Sequence, residues 1–82
     1  MTTTIRFRIR KELDTATARK VLQLKGSLIA QSYTDIIHFD DDGEEFYIHY
    51  FTTETLKKEQ AISYISEYVT DNSLDEKVVL VL

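Results

Sequence analysis

The chain has no cysteine, no proline and no tryptophan, and it has only two glycines. Without cysteine it can form neither a disulfide bond nor a thiolate metal site, and the redox state of its compartment is not indicated. Average usage would give a chain of this length roughly four prolines and six glycines. So few helix and strand breakers are typical of an artificially designed scaffold. The predicted helices nevertheless carry threonine, serine and glutamine where an idealised design would use alanine, glutamate and lysine, so natural and designed origins both stay open.

A long hydrophobic run is also missing. No apolar stretch approaches the roughly 18 residues that a membrane-spanning helix needs, and residues 1–6 do not have the pattern of a signal peptide. With 82 residues, of which 43% are hydrophobic, the chain has the size of one domain with one core, residues 1–82. We therefore expect a small soluble domain with no membrane partner, cytoplasmic if it is natural.

The charge is unevenly distributed along the chain. Residues 1–25 carry seven basic and two acidic side chains, whereas residues 26–82 carry three basic and twelve acidic ones, for a net charge of −4. Such a split can mark a nucleic-acid or acidic partner. It also arises when strands of opposite charge lie side by side in a sheet. Because the overall acidity opposes phosphate binding, the sequence argues against a nucleic-acid partner.

The N-terminal third predicts a strand and then a helix. Thr3, Ile5, Phe7 and Ile9 alternate with polar residues, which is typical of a half-buried strand. Asp14 or Thr15 can cap a helix that follows. Its expected apolar stripe consists of Ala18, Val21, Leu22, Leu28 and Ile29. Gly26 leaves two possible ends, Lys25 or about Gln31, and the seven-residue repeat within the stripe favours the longer helix.

The clearest local signal is a β-hairpin at Asp42–Gly43, a dipeptide that suits a two-residue type I′ turn. Alternating segments flank it at Asp35–Phe39 and Glu45–Phe51. With that turn, the residue numbers of each cross-strand pair sum to 85, so Phe39 lies opposite Phe46. The register predicts that Phe46, Ile48 and Tyr50 point toward the core and that the other residues of that strand point away from it.

The remaining segments predict a second helix and a last strand. The helix should begin at Thr52 or Thr53 and end near Asp71–Ser73. Its expected inner stripe consists of Ala61, Ile62, Ile65, Tyr68 and Val69. Val78–Leu82 follows as a strand. The order βαββαβ with right-handed crossovers predicts a ferredoxin-like two-layer α+β sandwich, with a four-stranded antiparallel sheet in the order 4-1-3-2 and both helices on one face. The expected core consists of Phe7, Ile37, Ile48, Ile65 and Leu80.

The sheet face without helices is the candidate binding surface. On the predicted register it carries Arg6, Arg8, Arg10, His38, Tyr47, His49 and Phe51. Arginines beside aromatic residues on central strands can stack unpaired bases. The same arrangement arises when arginine stems and aromatic rings cover each other on a solvated surface.

The chain contains none of the common sequence motifs of catalytic sites. There is no cysteine nucleophile, no Gly-x-Ser-x-Gly and no glycine-rich phosphate loop, and the acidic run at residues 40–45 is too short for a calcium-binding loop. We therefore expect a non-enzymatic domain with no cofactor and no metal. It is either a designed scaffold without evolved function, or a natural module whose open sheet face binds a protein, single-stranded nucleic acid or a second copy of itself.

Overall fold

The computed structural model describes residues 1–81. Its elements are β1 (Thr2–Arg10), α1 (Thr15–Ala30), β2 (His38–Asp42), β3 (Phe46–Glu54), a 3₁₀ turn (Thr55–Lys57), α2 (Lys58–Asp71) and β4 (Val78–Val81). The strands form one antiparallel sheet in the order β2-β3-β1-β4. Read from the other edge this is 4-1-3-2, so the predicted βαββαβ sandwich is confirmed.

Both helices pack on the sheet face that carries Ile5, Phe7 and Ile9, as the alternation in β1 predicted. The buried helix residues are Val21, Leu24 and Leu28 of α1 and Ala61, Ile65 and Val69 of α2. Leu74, which the sequence did not single out, is also buried between the layers. Each large apolar side chain in this core contributes roughly 1.5–3 kcal/mol by leaving water. Of the five residues expected in the core, Ile48 is misplaced.

Helix α1 begins where the sequence predicts and follows the longer of its two predicted courses. The backbone N–H of Thr17 donates to the Asp14 side chain at 2.8 Å. Hydrogen bonding from the Thr17 side chain, and after it from this backbone N–H, lowers the pKa of Asp14. The helix passes through Gly26 and ends at Ala30. The predicted stripe is wrong at three positions, because Ala18 is exposed, Leu22 is 68% exposed and Ile29 is 44% exposed. The buried stripe runs through residues 21, 24 and 28, which leaves these three side chains outside it.

The hairpin forms, but its register differs from the prediction. Asp42 pairs with Phe46, so the loop is the three residues 43–45, with Gly43 at φ 82°. The residue numbers of each cross-strand pair therefore sum to 88 and not to 85. An odd shift turns a strand over, since side chains alternate between the two faces. Tyr47, His49 and Phe51 consequently face the helices, while the row at 46, 48 and 50 lies on the open face.

The ladder between β1 and β3 explains the change of register. It runs over nine residue pairs, from Thr2 opposite Glu54 to Arg10 opposite Phe46. In this alignment Phe51, which is fully buried, lies beside Ile5 in the core. A ladder of this length, with its buried cross-strand contacts, outweighs the preference of one turn dipeptide. Because β3 continues to Glu54, the expected start of the second helix at Thr52 or Thr53 is wrong.

Both helices end in the same backbone motif. Ser32 follows α1 with φ 64°, and Ser73 follows α2 with φ 56°. The next residues, Tyr33 and Leu74, donate backbone hydrogen bonds five residues back, at 3.0 Å and 2.8 Å. These are Schellman motifs, in which glycine is the usual residue at the left-handed position. Serine at both positions costs stability because its Cβ is crowded there.

Candidate binding site

The structure divides the seven candidate residues between the two faces of the sheet. Arg6, Arg8, Arg10 and His38 lie on the open face, as expected. Tyr47, His49 and Phe51 lie on the helix side, so their predicted place was wrong. The cause is the hairpin register, which turns β3 over. The predicted surface of arginines beside these three aromatic rings does not form.

The open face carries a different set of aromatic residues, and they contact their neighbours. The Arg10 guanidinium lies 4.9 Å from the Phe46 ring centroid. The Tyr50 hydroxyl donates to Asp40 at 3.2 Å, a bond that raises the pKa of Tyr50, and its ring stacks on His38 at 5.3 Å. In addition, Arg8 pairs with Asp42. These contacts are typical of a solvated sheet surface whose side chains cover each other.

A groove lies on the other side of the sheet, between α1 and the edge strand β2. Phe39 of β2 is 56% exposed and forms one flank, and the exposed Leu22 forms the other. The space between them has a volume of about 250 Å³. Tyr47 and His49 of β3 line it from the sheet, and the Lys25 side chain also borders it. We call this feature the α1–β2 groove.

His49 connects the α1–β2 groove to the core. Its ring stacks between the buried Phe7 and the exposed Phe39, with centroids 5.4 Å away on each side. The residue is only 4% exposed. Burial, reinforced by the positive charge of Lys25, lowers the pKa of His49 to about 4, while the backbone of Tyr47 acts weakly in the opposite direction. His49 is therefore neutral at physiological pH.

The hydrogen bonding of His49 is incomplete. Its Nε2 lies 3.4 Å from the Lys25 ammonium, and its Nδ1 has no hydrogen-bond partner. Because an ammonium group can only donate, Nε2 must accept, which leaves the proton of the neutral ring on Nδ1. A buried donor without an acceptor is costly and rare in native proteins.

Lys25 is a cation without a carboxylate partner in the described part of the chain. Within residues 1–81 the ion pairs are Arg8–Asp42, Arg10–Glu45 and Lys11–Asp41. The Lys25 ammonium instead lies 5.6 Å from the Phe39 ring centroid and beside the neutral His49. The α1–β2 groove thus combines apolar flanks with one uncompensated positive charge.

The two histidines of the chain do not come together in the sheet. His38 and His49 lie on opposite faces of the sheet, so they cannot share an ion. Residues 1–81 contain no group of three or more histidine or acidic side chains placed to hold a metal. No helix in the same range is long and apolar enough to cross a bilayer.

Comparison of the chain with protein-family models, curated proteins and solved structures gave no match.

Proposed function

We propose that this domain is a non-enzymatic binding module and that a protein partner docks in its α1–β2 groove. The observation that carries the proposal is the exposure of Leu22 and Phe39, 68% and 56%, on the two flanks of one concave surface. Neighbouring exposed apolar side chains beside a depression are characteristic of interaction sites. An aromatic residue at such a place is a common anchor for a partner.

The alternative of a designed scaffold, whose only task is to fold, has less support. Design practice leaves no buried polar atom unpaired, uses glycine after helix ends and keeps large apolar side chains off the surface. This chain departs from each rule. The departures are the unpartnered Nδ1 of His49 and Oγ1 of Thr53, the serines at 32 and 73, and the exposed Leu22, Phe39 and Leu56. Breaks in local rules of this kind concentrate where residues serve a function.

The absence of enzymatic activity remains part of the proposal. His49 is the strongly perturbed titratable group, but it is almost entirely buried and stacked between two rings. Its Nδ1 is buried and its Nε2 faces the Lys25 ammonium, so neither ring nitrogen is placed to take a proton from a substrate. The groove, at about 250 Å³, is also smaller than the roughly 300–1,000 Å³ of a typical small-molecule site. Its size suits a few side chains of a docking segment.

Single-stranded nucleic acid on the open face is the second candidate. It is favoured by Arg6, which is exposed and makes no ion pair within residues 1–81, and by the stacking of Arg10 on Phe46. Against it, Asp40 and Asp42 lie on the same face and would repel phosphates. We therefore rank it below the α1–β2 groove.

A peptide selection tests the proposed function. Phage-displayed random peptides are selected on the immobilised domain. The affinity of the enriched peptides is then measured for the wild type and for variants. The groove variant is Leu22→Lys with Phe39→Thr. The matched control is Leu56→Lys, which adds a charge at a leucine that is 95% exposed and does not line the groove. We expect enriched peptides that bind the wild type and the control but lose at least about tenfold in affinity for the groove variant.

Circular dichroism and thermal melting must first establish that the groove variant is folded, which its exposed positions favour. Two outcomes would overturn the proposal. One is a selection that enriches no peptide above background. The other is a set of peptides that bind the folded groove variant as tightly as the wild type.

A further inference from the structure

We propose that the α1–β2 groove binds an extended, acidic segment of another protein, which adds as a strand to the free edge of β2 and places a carboxylate on Lys25. This inference rests on the proposed function and deepens it, because it names the conformation and the chemistry of the partner. Three features of the groove support it, and they are independent of one another.

The first feature is the free backbone edge of β2. Within residues 1–81, His38–Asp42 pairs with β3 on one side and with no strand on the other. An edge strand presents a row of backbone N–H and C=O groups that another extended chain can pair with. Strand addition of this kind is a recurring mode of peptide recognition, in which the main chain supplies affinity and the side chains supply specificity.

The second feature is the position of the α1–β2 groove relative to that edge. A strand that pairs with β2 alternates its side chains between the helix side and the open side of the sheet. Side chains opposite Phe39 point to the helix side, where Leu22 faces them across the groove. Apolar residues at alternate positions of the segment would cover these groups.

The third feature is charge. Lys25 is half-buried on the helix side, its ammonium contacts only neutral groups there, and the nearby Asp41 is engaged by Lys11 at 2.9 Å. A carboxylate that reaches Lys25 would form a charge-assisted hydrogen bond in surroundings of low dielectric constant, where such bonds are strong. On the open side the edge carries Asp40. The segment should therefore be acidic toward the helices and neutral or basic on its other side.

A second copy of this chain does not meet these requirements. Its β2 strand contains acidic residues, and antiparallel pairing could bring Asp41 of the copy opposite Phe39, near Lys25. The same register places Asp40 of one chain directly opposite Asp40 of the other. Like charges that face each other across a ladder destabilise it. The partner is therefore a different protein.

The experiment uses the tightest peptide from the selection, labelled for fluorescence anisotropy. We expect it to contain a glutamate or aspartate, and we replace that residue by its amide. Lys25→Gln should lower the affinity for the acidic peptide by about tenfold but leave the affinity for the amide peptide nearly unchanged. In a double-mutant cycle this difference indicates a direct interaction between Lys25 and the carboxylate. Lys25→Arg should retain part of the affinity. Lys58→Gln, at an exposed lysine of α2, is the control and should have little effect.

Hydrogen exchange tests the conformation of the bound segment. Amides of β2 that face outward should exchange at least about tenfold more slowly when the peptide is bound, and β4 should not change. If peptides bind the groove but leave β2 unprotected, or if Lys25→Gln weakens both peptides equally, the inference is overturned while the proposed function stands. If sedimentation shows a dimer that Phe39→Thr dissociates, a second copy occupies the edge and the inference is likewise overturned.

Discussion

His49 is a core residue that remains titratable. Its pKa in the folded protein is about 4, because burial disfavours the charged ring, whereas an unfolded chain has the usual value near 6.5. The unfolded state therefore binds the proton more readily. Stability that depends on neutral His49 is complete above about pH 6.5 and is lost as the pH falls toward 4.

We expect the free energy of unfolding to fall by about 1–3 kcal/mol between pH 6.5 and pH 4 through this residue. Urea unfolding at several pH values measures it. His49→Phe should remove this part of the pH dependence, since the ring stays apolar and no longer titrates. His38→Gln, on the exposed stacked histidine of the open face, is the control and should leave it in place. Equal pH profiles for wild type and His49→Phe would show that the histidine is not buried as described.

Phe51 and Ile48 distinguish the observed register from the predicted one. Phe51 is fully buried on the helix side, whereas Ile48 is half-buried on the open face. Phe51→Ala should cost about 3–5 kcal/mol and leave most of the protein unfolded, because a domain of this size rarely has more than that from one core. Ile48→Ala should remain folded, with a loss of about 1–2 kcal/mol, less than a fully buried isoleucine would cost. Chemical denaturation measures the stability loss of both variants. A larger loss for Ile48→Ala than for Phe51→Ala would instead support the register that the turn dipeptide predicted.

At the scale of secondary structure, the helix ends are the least favourable local conformations. Ser73 occupies a left-handed position where glycine has no steric cost. We expect Ser73→Gly to stabilise the protein by about 0.5–1 kcal/mol, since relief of the crowding exceeds the added entropy of the unfolded chain. Ser66→Gly, at an exposed position inside α2, should instead destabilise it by a similar amount. Thermal unfolding of the two variants compares them, and a loss of stability in both would contradict the assigned backbone.

The sequence predicted every major element but not how β3 is oriented. In β1 only one row of side chains is apolar, so its buried face follows from the pattern. In β3 both rows are largely apolar or aromatic, 46-48-50 in one and 47-49-51 in the other, and alternation cannot distinguish them. The turn dipeptide then decided the prediction, although the pairing of β3 with β1 decides the structure. Strand pairing is a long-range property, and a local turn signal does not contain it.

Local sequence patterns likewise predicted only part of the candidate site. The sequence placed Arg6, Arg8, Arg10 and His38 on the open face because their alternation is unambiguous. It missed the α1–β2 groove, which requires both the true register and the true orientation of α1. The signal that existed was Leu24, which continues the spacing of Val21 and Leu28 and would have turned Leu22 outward.

For the whole molecule, the net charge of −4 governs what the open face can bind. Arg8 and Arg10 on that face are already paired with acidic residues, and twelve acidic side chains follow residue 25. We expect a mixed-sequence single-stranded DNA, titrated at low salt, to show no saturable binding. A saturable isotherm that weakens steeply with salt and is lost in Arg6→Ala with Tyr50→Ala would instead assign the open face to nucleic acid.

Chemical-shift mapping of the isotopically labelled domain is the sharpest test of binding in the α1–β2 groove, because it reports which surface a partner contacts. The probe is the tightest peptide from the selection, added to saturation. We expect the largest changes around the α1–β2 groove, at Leu22, Lys25, Phe39 and His49, and little change at β4. Changes concentrated on the open face, at Arg6 and Tyr50, would contradict it.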